Sequence, residues 1–292
     1  MKKCMEIGEH MKVLVTGVGG QLGYDVVKVL KERNIEYIGA DLKEFDIIDY
    51  AAAHKFITDY RPDAIIHCSA YTAVDRAEDN PELCRRVNAD GSGNIAKICK
   101  EIDAKMIYIS TDYVFPGTGE DFYEVDSPTE PQNVYGQTKL EGELAVKNIL
   151  KKYFVVRISW VFGINGNNFI KTMLKLGKER NEISIVADQI GSPTYTADLA
   201  PLLCDMVVTD KYGTYHATNE GICSWAEFAE EIFRIAKIDC KVNHITTEEY
   251  PTKAARPKNS RMSKKRLNKV GFMSLPVWQD AVARYLKEMG IN

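Results

Sequence analysis

Tyr135 and Lys139 stand four apart in the run Asn133-Val134-Tyr135-Gly136-Gln137-Thr138-Lys139. On a helix, residues at that spacing share a face one turn apart. A phenol beside an ammonium is a tuned acid. The free phenol titrates at about 10. A nearby positive charge is expected to stabilise the phenolate and move it toward the working range. Such a pair is common on its own, so its surroundings decide its meaning. Ser110-Thr111-Asp112-Tyr113-Val114-Phe115 follows a short apolar run and reads as the carboxyl end of a strand. The Thr111 hydroxyl is suited to hold a carbonyl oxygen while Tyr135 supplies its proton. Both hydrogen bonds would strengthen as negative charge develops on that oxygen. Pro128 and Pro131 keep the preceding segment out of helix, so the helix should start near the tyrosine.

A second pattern lies near the start. Thr16-Gly17-Val18-Gly19-Gly20-Gln21-Leu22-Gly23 joins a predicted strand to a predicted helix, with Gly17, Gly20 and Gly23 spaced three apart. Glycines so placed permit a tight turn, let backbone approach a pyrophosphate, and let helix pack on strand. The helix N-terminus then offers free N–H groups to phosphates. Asp41 ends the next predicted strand, where an acid can bond a ribose hydroxyl. That favours NADH. Lys43 close by suits a 2′-phosphate, so NADPH stays open.

Residues 253–269 hold eight Lys or Arg and no acid. The run reads as a solvated basic face that also offers a cradle for a diphosphate. Arg256 is the expected ligand, because arginine forks onto phosphate oxygens. Trp160, just after the strand Phe154 to Ile158, either stacks on a sugar or fills core, and the substrate role is preferred.

These residues need a scaffold. Runs from Lys12, Glu36, Ala64, Lys105 and Phe154 read as strands, separated by helices over Leu22–Arg33, Pro81–Glu101 and Tyr135–Lys151. Alternation of this kind predicts an α/β fold, a Rossmann-type doubly wound parallel sheet covered on both faces. Past residue 160 the alternation becomes irregular, with loop-like stretches at 163–168, 188–196 and 252–260. There Ser224 and Glu227 form a capping-box signal, and a last helix is expected over Ala281–Met289. The expected division is 11–160 for dinucleotide binding and 161–292 for a smaller C-terminal α/β substrate lobe, with some chain crossing back. Residues 1–10 read as an extension before a second methionine, Met11.

Bulk properties exclude several classes. The 292 residues are 45% hydrophobic and 27% charged, with a net charge of -3, so nucleic acid is not an expected partner. No apolar run reaches the ~18 residues of a membrane span, and the start, Met1-Lys2-Lys3-Cys4-Met5-Glu6, lacks the apolar stretch expected of a signal peptide. Seven cysteines without Cys-x-x-Cys spacing suggest reduced thiols and a cytoplasmic protein, and the five histidines lack metal-ligand spacing.

Taken together, these motifs resemble the extended short-chain dehydrogenase/reductases, and within them the reductases of dTDP-4-keto sugars. The resemblance runs from about Met11 to the end and also rests on Ala70-Tyr71-Thr72-Ala73-Val74-Asp75, Asp188-Gln189-Ile190-Gly191-Ser192-Pro193-Thr194, Ser224-Trp225 and Arg256-Pro257-Lys258-Asn259-Ser260. It implies reduction of dTDP-4-dehydro-L-rhamnose to dTDP-L-rhamnose by NADPH or NADH. It implies cofactor contacts from Gly20, Gln21, Leu22, Asp41, Asp46, Ile47, Ala70, Tyr71, Thr72, Tyr135 and Lys139. Thr111, Asp112 and Trp160 would meet the nucleotide-sugar. Two departures are visible. Cys68-Ser69 replaces a small Ala-Ala pair, and Asp25 occupies a position related to the glutamates through which some members hold Mg2+ at a dimer interface. Metal, and monomer or homodimer, therefore stay open. Rival readings are a nucleotide-sugar epimerase or dehydratase, and a non-catalytic regulatory subunit. A dehydratase of this class carries Glu after the strand-end Thr-Asp, where this chain has Tyr113.

Overall fold

The computed structural model describes residues 11–291, so the expected extension at 1–10 lies outside the described residues. β-branched and aliphatic residues build the first strands, β1 (Lys12–Thr16), β2 (Glu36–Ala40) and β3 (Ala64–His67). Between them run α1 (Gln21–Glu32) and α2 (Tyr50–Tyr60). The chain then forms α3 (Val74–Asp79), α4 (Pro81–Arg85), a π-helical turn Arg86–Gly91 and α5 (Ser92–Ile102). β4 (Lys105–Thr111), α6 (Val134–Ile149) and β5 (Tyr153–Ile158) follow. One uninterrupted helix was expected over Pro81–Glu101. The difference is the π turn, which adds a residue to the helical circuit and turns Asn88 inward.

β6 (Val161–Phe162), α7 (Phe169–Glu179), β7 (Glu182–Val186), β8 (Ile190–Gly191), β9 (Thr194–Tyr195), α8 (Thr196–Val207) and β10 (Gly213–His216) come next. The stretch 188–196, expected to be loop-like, thus contains two short strands. The remaining elements used below are α9 (Trp225–Ala236), with the expected Ser224–Glu227 capping box, β11 (Asn259–Ser260) and α10 (Trp278–Glu288).

Six parallel strands pair in the order β2–β1–β3–β4–β5–β10. Successive β1 residues face opposite layers. Val13 and Val15 pack against α1 and α8, while Leu14 packs toward α2 and α5. Burial on both faces explains why the strands are apolar runs rather than alternating patterns. The chain leaves β1 toward β2 on one side and β3 on the other. The carboxyl ends of the strands at such a reversal leave a crevice, the usual ligand site of open α/β sheets. α8 and β10 lie beyond residue 160 yet complete the main sheet and its cover. A separate core, with Met173, Phe228, Phe233, Trp278 and Tyr285, holds α7, α9 and α10 together.

Candidate active site

The crevice is a cavity of about 860 Å³. Its cofactor-side lining includes Gly17, Gly20, Gln21, Leu22, Gly23, Asp41, Asp46, Ile47, Ala70, Tyr71 and Thr72, and its far end holds Thr111, Asp112, Tyr135, Lys139 and Trp160. Every expected site residue but Arg256 therefore meets one space.

The glycine turn is shaped by close approach. Gly17 has φ +73°, and a Cβ there would lie 2.8 Å from the Ser69 nitrogen. At Gly23 a Cβ would sit 2.2 Å from the Gly17 carbonyl oxygen, so α1 packs on the turn only as glycine. Gln21 opens α1, and its side chain reaches the segment between β6 and α7, accepting from the Gly163 amide at 2.9 Å and from Asn168 at 3.1 Å. Asp41 accepts from the Gly19 amide at 2.6 Å, and the Lys43 side chain nearby is exposed. Asp46 and Ile47 line the outer end, with Asn94 holding the Ile47 carbonyl at 3.1 Å. A bare backbone turn at a helix N-terminus, with an acid on the adjoining strand, fits a dinucleotide in both shape and donor chemistry.

Asn133 caps α6 by accepting from the Gly136 amide at 2.7 Å, which starts the helix where the prolines predict. Tyr135 lies edge-on to Tyr113, with centroids 5.4 Å apart. Burial pushes the Tyr135 phenol up, the Thr111 hydroxyl pulls it back, and Asp112 and Cys84 raise it further. The expected lowering by Lys139 is absent. Burial drives the lysine itself down to about 7, with Glu143 pulling the other way, so it is only partly charged at neutral pH. Its Nζ sits 4.2 Å over the Tyr108 ring, whose hydroxyl donates to the Lys139 carbonyl at 3.1 Å. A neutral phenol is the form a proton donor needs, so this correction leaves Tyr135 fit to act as an acid.

On the substrate side, Trp160 gives one face to Trp225, stacked at 3.8 Å and 14°. It adopts φ +50°, a strained value for tryptophan. Arg256 lines a second cavity of about 720 Å³ that meets the first at Tyr113. It pairs with Asp75 at 2.5 Å, and Asp75 also accepts from the Ala254 amide at 3.1 Å. The basic run is not one continuous patch. Lys253, Lys258, Lys264 and Lys265 also pair with acids, namely Asp79, Asp188 with Glu248, Glu220, and Glu124.

Sequence reasoning missed three supports. The buried Asn88, on the π turn, clamps Tyr71 by accepting from its amide at 2.8 Å and donating to its carbonyl at 3.1 Å. It also donates to Thr138 at 3.1 Å, which ties that loop to α6. Glu143, two turns beyond Tyr135, is gripped by Arg157 through two 2.8 Å bonds and accepts from Ser110 at 2.6 Å. Burial opposes its charge, but Arg157 holds it at about 2. Ser260, on β11, donates to Asp112 at 2.5 Å. The one signal in the sequence for any of these is that Ser260 closes the run Arg256-Pro257-Lys258-Asn259-Ser260.

Asp25 is buried against its own chain, bonded to the Thr196 hydroxyl, and burial raises its pKa. Among the described residues no group of three or more His, Cys, Asp or Glu is placed to hold a metal ion, so the magnesium expectation finds no support. No described helix is long and apolar enough to cross a membrane.

A parallel doubly wound sheet, a glycine turn at its switch point, and a Tyr-Lys pair with its lysine buried beside a strand-end threonine define a short-chain dehydrogenase/reductase of the extended type. Comparison with known proteins narrows the class. Residues 11–291 match the family model described as the RmlD substrate binding domain. The chain is 38% identical to the spore coat polysaccharide biosynthesis protein SpsK of Bacillus subtilis, covering 95% of this chain and 97% of that one. It is 37% identical to dTDP-4-dehydrorhamnose reductase of Salmonella typhimurium, covering 96% and 98%. A crystal structure of the Bacillus anthracis dTDP-4-dehydrorhamnose reductase in complex with NADP superposes with a TM-score of 0.93 at 44% identity, covering 95% and 99%. The chain belongs to the dTDP-4-dehydrorhamnose reductase family.

Proposed function

We propose that this chain reduces the 4-keto group of dTDP-4-dehydro-L-rhamnose to give dTDP-L-rhamnose, with NADPH or NADH as reductant. The product is a precursor of cell-surface polysaccharide, made in the cytoplasm. The observation that carries this reading is the meeting of Thr111, Tyr135 and Lys139 at one end of the cavity that the glycine turn opens. The related Bacillus anthracis reductase is described with NADP, and the glycine turn here lines a cavity suited to such a ligand.

Bound along the turn, a reduced nicotinamide would supply hydride to the sugar C4. The chain's own residues do the rest. Gly17, Gly20 and the first turn of α1 hold the pyrophosphate, and Asp41 a ribose. Ala70, Tyr71 and Thr72, clamped by Asn88, form the wall beside the nicotinamide. Thr111 donates to the carbonyl oxygen and Tyr135 delivers the proton. Lys139 holds the ribose nearest the reacting end. When charged, it also stabilises the phenolate that Tyr135 leaves behind. Trp160 and Asp112 face the sugar end, and Arg256 takes the diphosphate by exchanging Asp75 for it.

Incubation with the keto-sugar and NADPH or NADH tests this directly. Cofactor absorbance should fall with stoichiometric appearance of the 4-hydroxy product. Tyr135→Phe should lower kcat by roughly 10²–10⁴ while changing KM little. No turnover with either cofactor, or full activity in the phenylalanine variant, contradicts the reading.

A further inference from the structure

A threonine hydroxyl has one hydrogen to give. In this structure Thr111 gives it to Asp112, Oγ1 to Oδ1 at 2.9 Å, and accepts the Tyr113 amide at 3.3 Å. The other carboxylate oxygen, Oδ2, accepts from Ser260 at 2.5 Å. Asp112 is 3% exposed and Thr111 5%. Toward the cavity, Thr111 therefore presents an oxygen without a free hydrogen. A carbonyl oxygen gaining negative charge needs a donor. The arrangement conflicts with the role of Thr111 unless Asp112 itself carries a proton.

We propose that Asp112 is a positioning residue that works as its neutral acid: a proton on Oδ1 donates to Thr111 and turns the threonine hydrogen toward the substrate carbonyl. The inference rests on the keto-sugar reading. All partners stay satisfied in the switched state. Asp112 donates to Thr111, Ser260 still donates to Oδ2, and Thr111 still accepts from the Tyr113 amide. The proton on Asp112 is not consumed. The proton added to the sugar comes from Tyr135, which regains one from solvent after the product leaves.

The surroundings shift Asp112 toward the neutral acid. Burial pushes Asp112 up to about 6, against the pull of the Ser260 and Thr111 hydroxyls and the local backbone amides. Its titratable neighbours are the phenols of Tyr113, on its own turn, and Tyr135, on α6, both raised by burial and so neutral. From β11 it meets the neutral Ser260. Arg256 and Asp75 oppose one another beyond Tyr113, and Lys139 is coupled to Glu143, Cys84 and Cys68 instead. A bound diphosphate adds negative charge and displaces water, and both push a carboxyl further up.

The test is kcat/KM against pH for the full chain with the keto-sugar, in wild type, Asp112→Asn, Thr111→Val and the double variant. An asparagine amide donates to Thr111 at every pH and still accepts from Ser260. Wild-type kcat/KM should fall about tenfold or more between about pH 5.5 and pH 8, as expected for loss of one donor to a developing oxyanion. Any Lys139 titration is common to all of these proteins and cancels in their ratios. The ratio of Asp112→Asn to wild type should rise about tenfold or more from about pH 5.5 to pH 8, with the variant above wild type at pH 8. With Thr111→Val as background, adding Asp112→Asn should change nothing at any pH, because the switch acts through the hydroxyl it lacks. A ratio of Asp112→Asn to wild type that stays constant across the range would assign the fall to another group, Lys139 first, and overturn the inference. Equal loss of activity in Asp112→Asn at every pH would overturn it too. A wild type that reduces no keto-sugar at any pH defeats the underlying reading instead, so the two failures are distinguishable.

Discussion

The two cavities that meet at Tyr113 are built on opposite principles. The larger one is bounded by backbone that tolerates no extra atom, as at Gly23, and behind its Ser110 stands the buried, fully paired Glu143 with Arg157. The smaller one is bounded by ion pairs at the surface, such as Arg256 with Asp75, whose carboxylate is 48% exposed. Buried pairs are costly to break because the survivor is left charged in a dry site, whereas exposed pairs contribute little and re-form easily. The larger cavity is thus preorganised. The Arg256 cavity is adjustable, which suits the anion exchange proposed for it.

This contrast can be broken most sharply at Glu143. Glu143→Gln leaves Arg157 buried without a counter-charge and should cost about 3–5 kcal/mol of stability, read as a fall in the denaturation midpoint. A loss under about 1 kcal/mol would put the two cavities on the same footing. Gly23→Ala should come next. The added methyl meets backbone, which cannot swing aside, so a loss of about 1–3 kcal/mol and at least a tenfold weaker dinucleotide affinity are expected from equilibrium titration. Asp75→Asn should be the mildest. Stability should change by less than about 1 kcal/mol, and KM for the nucleotide-sugar should fall a few-fold as Arg256 loses its resident anion. A large destabilisation there would mean that the second wall is as rigid as the first.

The parts legible in the sequence were those set by local spacing. The glycine turn follows from sterics within eight residues, and the Tyr135–Lys139 face from helical period after a proline-blocked entry. Ser224 and Glu227 announced α9 through a cap that spans one turn. What escaped reading depends on contacts across the chain. Asp112 meets Ser260 from 148 positions away, and Glu143 needs Arg157 from the next strand. The direction of the Lys139 shift depends on burial, which a sequence does not display at one position. α8 was obscured by Pro201, yet its Leu199, Leu202, Leu203 and Met206 bury enough apolar surface against the sheet to tolerate one missing backbone donor. α2, with Ala53 and Ile57 as its buried face, was weakly patterned and was also passed over. Arg256 was singled out as the diphosphate ligand; it lines the second cavity, and its pairing with Asp75 was not visible in the sequence.

The most direct test follows the hydride. The enzyme should be incubated with the dTDP-4-keto sugar and a reduced cofactor carrying deuterium at the transferring position of the nicotinamide, and the product examined by NMR. The account predicts deuterium at C4 of the sugar and nowhere else, with the new hydroxyl at that carbon and no label in Tyr135→Phe above the residual rate. Label at another carbon, or a product lacking deuterium while cofactor is consumed, would contradict it.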